Sequence, residues 1–594
     1  MVRTAAGPSG SEPPDSDPSK PRWAPRDWVA AAILFAATAA VVLWQNSHVA
    51  VLFDLSYILN TAERIAAGQV PYRDFPLAHA PLTFLVQAAI IRLTGRVVFH
   101  HVLYVALMGG LGTVLTWRIA HASLRGRASA AWWLALLVAA PLSVLGIYCI
   151  VPNPEYDCDC GFWLLVALWM LQRFTVKANV FFGFAAGAAL VIPLFFKQNI
   201  GLPFLMAAIG AVLLVFALKL AGRRHDSSEA LGTRMLFAVL AGACAALLAA
   251  ALALHWTAGF GNYLHWTIEY AGHRRLPALS FMLGVYHDPT LLWTVPCVVI
   301  ALLLLRVAPA KYLWVRIAAF ALLAAPFLFT LASLLMYDDA DERGDSLLAL
   351  WPLLLLLAAV LAIANLRSLR RKASLHTLFP LIVLAAIHGT FMSQQLWGST
   401  YAIWPLLALL VADLLAFLDG VSSLRARSRR FVSSLALLIS VTLLVCGGFY
   451  TASEERLSYA NLPDEPPAHS AFPQLAGLAT PGPYLPEIDE LLRYAQANIP
   501  FDDGIVLIPG EEPFYFATGR VPRFPAPFFD PTIDPYSPEE TAALVGSRNI
   551  RWLIVKTDLQ TKMDPTPDRA ETMTLLMNEF TLAAHLRGYD VYRR

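Results

Sequence analysis

Ionisable side chains are sparse in this chain, and those that could do chemistry fall into four short stretches. The first holds Asp54, Glu63, Arg73, Asp74 and His79, and the second Glu155 and Asp157. The third is Lys197-Gln198-Asn199, and the fourth holds His265, Glu269, His273, Arg274 and Arg275. Each lies at the mouth of a hydrophobic run, where an ionisable group is expensive and so a functional candidate by default. Carboxylates and cations gathered at one membrane face suit a reaction between a hydroxyl nucleophile and an anionic, lipid-borne leaving group. A carboxylate takes the hydroxyl proton, and cations hold the phosphate as negative charge develops on it.

The elements that must position these residues follow from composition. Of 594 residues, 57% are hydrophobic and 14% charged, with a mean hydropathy of +0.57, against about 25% charged residues in soluble domains. This is the composition of a polytopic membrane protein. The 44 basic and 42 acidic residues nearly cancel to +2, which gives no footprint for nucleic acid, and the position of each charge matters more than the sum.

Hydrophobic runs at 28–45, 98–120, 130–150, 160–174, 179–196, 200–220, 235–255, 289–306, 315–336, 347–366, 375–392, 400–418 and 431–449 predict about thirteen transmembrane helices. An odd number puts the two ends on opposite sides. Arg125 and Arg127, Arg173 and Lys177, Arg223 and Arg224, Arg306 with Lys311 and Arg316, Arg367 to Lys372, and Arg425 to Arg430 fall in alternate loops. Those loops are expected on the cytoplasmic side. Lys197 and the run His273-Arg274-Arg275 break the pattern on the outer side, and a phosphate is a natural partner for such exceptions.

Residues 1–26 are rich in Pro, Ser and Gly and read as a disordered cytoplasmic tail. The stretch 46–97 is a large first outer loop, expected to hold two helices lying in the interface. In the first, Leu55, Ile58, Ala62, Ile65 and Ala66 face one way and Ser56, Asn60 and Glu63 the other. The second starts at Pro81 and ends near Gly95, too short to span. A multi-span domain over 27–450 is followed by a Pro- and Ala-rich linker, 451–486, and a small α/β domain, 487–594, on the periplasmic face. In that domain helices are expected near 487–497 and 568–583, with strands at Ile505–Ile508, Trp552–Val555 and Tyr589–Tyr592.

Several residues have plain structural readings as well. Asp54 precedes a helix and could be its N-cap. Lys197 could snorkel to the interface. The acidic run Asp338 to Asp345 reads as a solvated loop, and Trp397 and Tyr401 fit an aromatic belt. Cys149, Cys158 and Cys160 cluster around one outer loop, where a disulfide is permitted, but small buried residues at helix ends are the better reading.

The ordered set of Asp54, Tyr57, Gly68-Gln69-Val70-Pro71-Tyr72-Arg73-Asp74-Phe75 and Ala80-Pro81-Leu82 resembles the GT-C superfamily of membrane glycosyltransferases. It is most similar to the bacterial branch related to protein O-mannosyltransferases and the aminoarabinose transferases of lipid A. The acid in the second outer loop, and Glu511-Glu512-Pro513-Phe514-Tyr515-Phe516 with Gly519-Arg520 in the C-terminal domain, extend the resemblance through most of the chain. It implies a GT-C-like fold and an inverting transferase that uses a polyprenyl-phosphate sugar. Asp54 is then the general base, Asp157 or its rival Glu155 the second acid, and Lys197 the group that meets the donor phosphate, with His273, Arg274 and Arg275 beside it. Tyr57, Arg73, Asp74 and Tyr401 are expected at the substrates, and His79 with Asp157 are the candidates to ligate a divalent metal ion. Relatives often carry Glu-Lys-Pro or Lys-Pro-Pro where this chain has His79-Ala80-Pro81. The expected activity is transfer of a sugar to a lipid, glycan or protein hydroxyl at the periplasmic face of a bacterial inner membrane. The alternative is a transporter or flippase of lipid-linked saccharides. Transporters place charges at mid-membrane in repeated halves, whereas here the acids lie at the rim and no internal repeat is evident.

Overall fold

The computed structural model describes residues 23–128, 130–177, 179–221, 232–272, 280, 283–307, 312–369, 374–392, 402–420, 428–526, 528–529, 533–562 and 567–594. Most of the expected tail, His273, Arg274, Arg275, Trp397 and Tyr401 lie outside those residues. The first span already begins at Pro25, inside the stretch expected as tail. Pro25 has no amide hydrogen to lose there, and the Asp27 carboxylate accepts from the Ala24 amide at 3.1 Å.

A helix occupies each expected hydrophobic run, and the protein is a multi-pass, mostly helical membrane protein. Among the described residues seven helices are long and apolar enough to cross a membrane by length and composition, and several shorter apolar helices pack beside them. The run 130–150 is broken at Pro141 into Ala131–Ala139 and Leu142–Leu145. Where spans touch, small residues set the approach. Gly187 and Gly242 face the carbonyls of Val239 and Phe184 with no room for a Cβ, so the helices Val180–Phe196 and Thr233–Thr257 come close along their length.

Both helices of the 46–97 loop are present, as Leu52–Ala66 and Leu82–Thr94, the second with Pro81 and Gly95 at its caps. The first does not lie on a surface. Its polar face is buried against the C-terminal domain: Asn60 Nδ2 donates to Glu512 O at 2.8 Å and Asn60 Oδ1 accepts from Phe516 N at 3.1 Å. Arg64, 2% exposed, donates to the carbonyls of Phe524 and Pro525 at 2.7 and 3.1 Å. These bonds give the Asn60 amide and the Arg64 guanidinium partners as they leave water, the condition for burying such groups. The apolar face joins a second core with Ile488, Leu491, Phe514 and Phe516.

The C-terminal domain is a four-stranded mixed sheet. Strand Gly504–Ile508 runs parallel to Ile550–Lys556, which pairs antiparallel with Tyr589–Arg593, and Thr581–Leu586 closes the edge. That edge strand falls in part where a helix was expected. The helix stops at Met577, and a hairpin through Gly588, φ +74°, pairs the alternating residues after it. Helices Tyr484–Asn498, Pro538–Ser547 and Pro567–Met577 accompany the sheet. The stretch expected as a linker is packed: Ala468–His469 pairs with Ala479–Thr480, and Ala460 bridges to Thr561. The acidic run forms a helix, Ala340–Leu348, capped by Asp339.

Candidate active site

Asp54 stands in the first turn of the Leu52–Ala66 helix, but Val51 occupies the N-cap and its side chain makes no capping hydrogen bond. The Asp54 carboxylate instead accepts a hydrogen bond from Tyr459 Oη at 2.6 Å, a residue 405 positions away in sequence. Burial pushes the Asp54 carboxyl up to about 6, with the Tyr459 bond pulling the other way. One turn on, Tyr57 Oη lies 2.8 Å from His79 Nδ1. The His79 ring stacks on Tyr156 with centroids 4.2 Å apart, and its carbonyl accepts from Tyr72 Oη at 2.7 Å.

The second acid and the cation meet opposite this helix. Pro193 lies in the last turn of the Val180–Phe196 helix, Lys197 takes an extended backbone at φ −148° as its C-cap, and a new helix begins at Gln198. This break turns the Lys197 side chain to Asp157, which opens the Tyr156–Lys177 helix. Nζ lies 2.5 Å from Asp157 Oδ2 and 4.4 Å from the Tyr156 ring centroid. Glu155 is buried just before that helix. Burial, with the Asp157 and Asp54 charges near it, pushes its carboxyl well above the usual range, and Lys197 only partly opposes this.

These residues line one chamber of about 740 Å³. Asp54, Tyr57, His79, Glu155, Asp157 and Lys197 form its polar end. Leu194, Leu202, Leu247, Phe260, Leu264 and Ile268 form an apolar flank. Leu202 and Ile268 are 48% and 57% exposed on the outside of the molecule, so the flank reaches the surface where lipid would lie. Gln198 ties the walls together, accepting from Ala80 N at 3.2 Å and donating to Ala78 O and Thr267 O at 3.0 and 3.2 Å.

Of the residues expected from sequence, Asp54, Tyr57, His79, Glu155, Asp157 and Lys197 are thus brought together. Arg73 and Asp74 are not; they pair with each other at 2.9 Å in a turn outside the chamber. His265 and Glu269 form an exposed pair at 3.0 Å. Cys149, Cys158 and Cys160 are free and buried, with no disulfide among them. Among the described residues no cluster of three or more His, Cys, Asp or Glu is disposed to hold a metal ion. Asp157 Oδ2 is engaged by Lys197, and His79 Nδ1 by Tyr57. Sequence reasoning missed Tyr459, which sits in the presumed linker, and Tyr156, whose ring joins His79 to Lys197. It also missed Tyr263 and Ile533 in the chamber wall.

No family model matches the chain, and no curated protein matches it. Among solved structures it is similar to ArnT from Cupriavidus metallidurans bound to undecaprenyl phosphate, at 15% identity over 96% of this chain and 98% of that one, TM-score 0.43. It is also similar to the Archaeoglobus fulgidus oligosaccharyltransferase in the apo form, at 12% identity over 89% and 69%, TM-score 0.48. A third likeness is to the archaeal oligosaccharyltransferase AglB from the same organism in complex with an inhibitory peptide and a dolichol-phosphate, at 12% identity over 90% and 69%, TM-score 0.43. The chain itself is a multi-pass, mostly helical protein. Its large first loop carries two helices, and a C-terminal domain is docked on them.

Proposed function

We propose that the protein is an inverting glycosyltransferase that moves a sugar from a polyprenyl phosphate to a hydroxyl acceptor at the periplasmic face of a bacterial inner membrane. The N-terminus is then cytoplasmic. The observation that carries this reading is the two-ended chamber, in which a carboxylate of raised pKa and a buried lysine stand at the head of an apolar flank open to lipid. A polyprenyl chain fits the flank, and its phosphate then falls at the polar end.

In this reading Asp54 accepts the proton of the acceptor hydroxyl as its oxygen attacks the anomeric carbon. The new carbon–oxygen bond forms as the sugar–phosphate bond breaks, and the electron pair of that bond leaves on the phosphate. Lys197 meets the charge developing there, in a site where low dielectric strengthens the interaction. Asp157 holds Lys197 in place, and Tyr57 and His79 line the sugar's position. Glu155, its carboxyl pushed well above the usual range by burial, offers in its protonated form a hydrogen bond to a substrate oxygen. No step is routed through a metal ion.

The test is transfer of radiolabelled sugar from a panel of polyprenyl-phosphate sugars, in membranes holding wild type or Asp54→Asn, with and without EDTA. Transfer by wild type alone supports the reading. Full transfer by a well-expressed Asp54→Asn removes the base, and no transfer from any donor removes the reaction.

A further inference from the structure

We infer that Tyr459 is a positioning residue for Asp54, held against it by the C-terminal domain. The inference rests on the reading of Asp54 as the base, and the geometry behind it is continuous. Tyr459 O accepts from Lys562 N at 2.9 Å, Ala460 bridges to Thr561, and Asn461 N donates to Gln560 O at 2.5 Å. The Tyr459 backbone is therefore zipped to residues 560–562 of the folded domain.

Those residues are themselves anchored deep inside it. Gln560 N and Thr561 N both donate to the Glu511 carboxylate, at 3.0 and 2.9 Å. Glu511 is also ion-paired with Lys556 at 2.8 Å, the side chains being 0% and 1% exposed. A buried carboxylate with this many donors fixes the backbone it binds. From the same point the Gln560 side chain reaches the helix of Asp54. Its Oε1 accepts from Leu52 N at 2.7 Å and its Nε2 donates to Ala50 O at 3.0 Å. The domain thus holds the first turn of that helix by its backbone, through Gln560, and by its carboxylate, through Tyr459. With Oδ2 held, the Asp54 side chain has one orientation from which to meet an acceptor hydroxyl.

A phenol that donates to a carboxylate favours its ionised form. Removing the phenol oxygen therefore raises the pH at which Asp54 ionises, whereas a merely structural tyrosine leaves that pH alone. Glu155, Asp157, Lys197, Tyr57, His79, Tyr156 and Tyr263 are the other titratable groups lining the chamber around Asp54, and the variant keeps all of them.

The experiment compares wild type with Tyr459→Phe, in the full chain in its membrane, by two readouts. The first is the pH profile of sugar transfer. The acid limb is expected to move up by about one pH unit, since a hydrogen bond to a charged group has about that effect, with kcat about twofold lower at pH 7, about tenfold lower at pH 5, and donor KM within about twofold. The second is the infrared carboxyl titration of Asp54, isolated by difference against Asp54→Asn, which is expected to move the same way. A fluorinated tyrosine at 459, a stronger donor that keeps the packing, is expected to move both readouts down, and it carries the test if Tyr459→Phe does not fold. An unchanged titration, or a change confined to donor KM, overturns the inference. If wild type transfers no sugar, the proposed reaction fails, while the infrared titration still decides the role of Tyr459.

Discussion

Lys197 and Asp157 form a nearly buried ion pair, with 9% and 13% of their side chains exposed, at the junction of two membrane helices. Their partnership gives each an opposite charge in a place where neither is tolerated alone. Breaking such a pair by removing one partner costs about 3–5 kcal/mol, whereas replacing both is nearly neutral. Lys197→Met is therefore expected to lower the melting temperature of the detergent-solubilised protein and abolish transfer. Adding Asp157→Asn should return most of the thermal stability but none of the activity. A double variant that regains transfer would show that Lys197 serves only to neutralise Asp157.

The Asp54 carboxyl, pushed up to about 6 by burial, predicts a pH dependence of definite sign. The base works only when ionised, so transfer should fall as pH drops through about 6. For stability the sign is the reverse. The folded state binds a proton that the unfolded chain, with its value near 3.8, releases, so this group's contribution grows as pH falls from above 6 toward 4 and is lost as pH rises through 6. Asp54→Asn should accordingly melt above wild type at pH 8, with the gap closing toward pH 5. A variant that melts lower at pH 8 contradicts the burial penalty assigned to Asp54.

The spans, the Leu82–Thr94 helix and three of the four main strands were legible because each is a local pattern. A hydrophobic run, a Pro and Gly pair of caps, or a short β-branched stretch states its own structure. The face of the Leu52–Ala66 helix was not legible. Ser56, Asn60 and Glu63 look like a solvated stripe until Gly510, Glu512 and Phe516 arrive from about 450 residues downstream to bond to it. Tyr459 was hidden for the same reason, lying in a Pro-rich stretch without periodicity and made meaningful by a partner distant in sequence. Asp54, His79, Glu155, Asp157 and Lys197 were found because charge near a hydrophobic span is a signal independent of tertiary structure. Arg73 and Asp74 carry the same signal and are only a surface pair.

Arg64 tests the docking of the C-terminal domain. Its guanidinium donates to the carbonyls of Phe524 and Pro525, and Arg64→Met leaves them buried without a donor, at about 1–3 kcal/mol for each unsatisfied group. The expected result is a protein that inserts in the membrane but loses protease resistance in residues 453–594, with transfer falling in parallel. Arg64→Met with an unaltered digestion pattern would mean that the apolar contacts of the interface suffice on their own.

Glu155 and Asp157 are separated by two positions and respond oppositely to the same chemical change. Asp157 is paired with Lys197 through its Oδ2, so Asp157→Asn removes a charge that the lysine needs. Glu155 has its carboxyl pushed well above the usual range by burial and by the Asp157 and Asp54 charges, which favours the neutral form, and an amide reproduces that form. Glu155→Gln is therefore expected to keep transfer within about threefold of wild type, while Asp157→Asn loses about a hundredfold, the scale on which misplaced electrostatic groups act. Glu155→Ala, which removes the donor altogether, should fall between them. The ordering is read from initial rates at pH 7 on one donor. A Glu155→Gln protein as inactive as Asp157→Asn would make Glu155 an ionised participant and place the second acid of the site there.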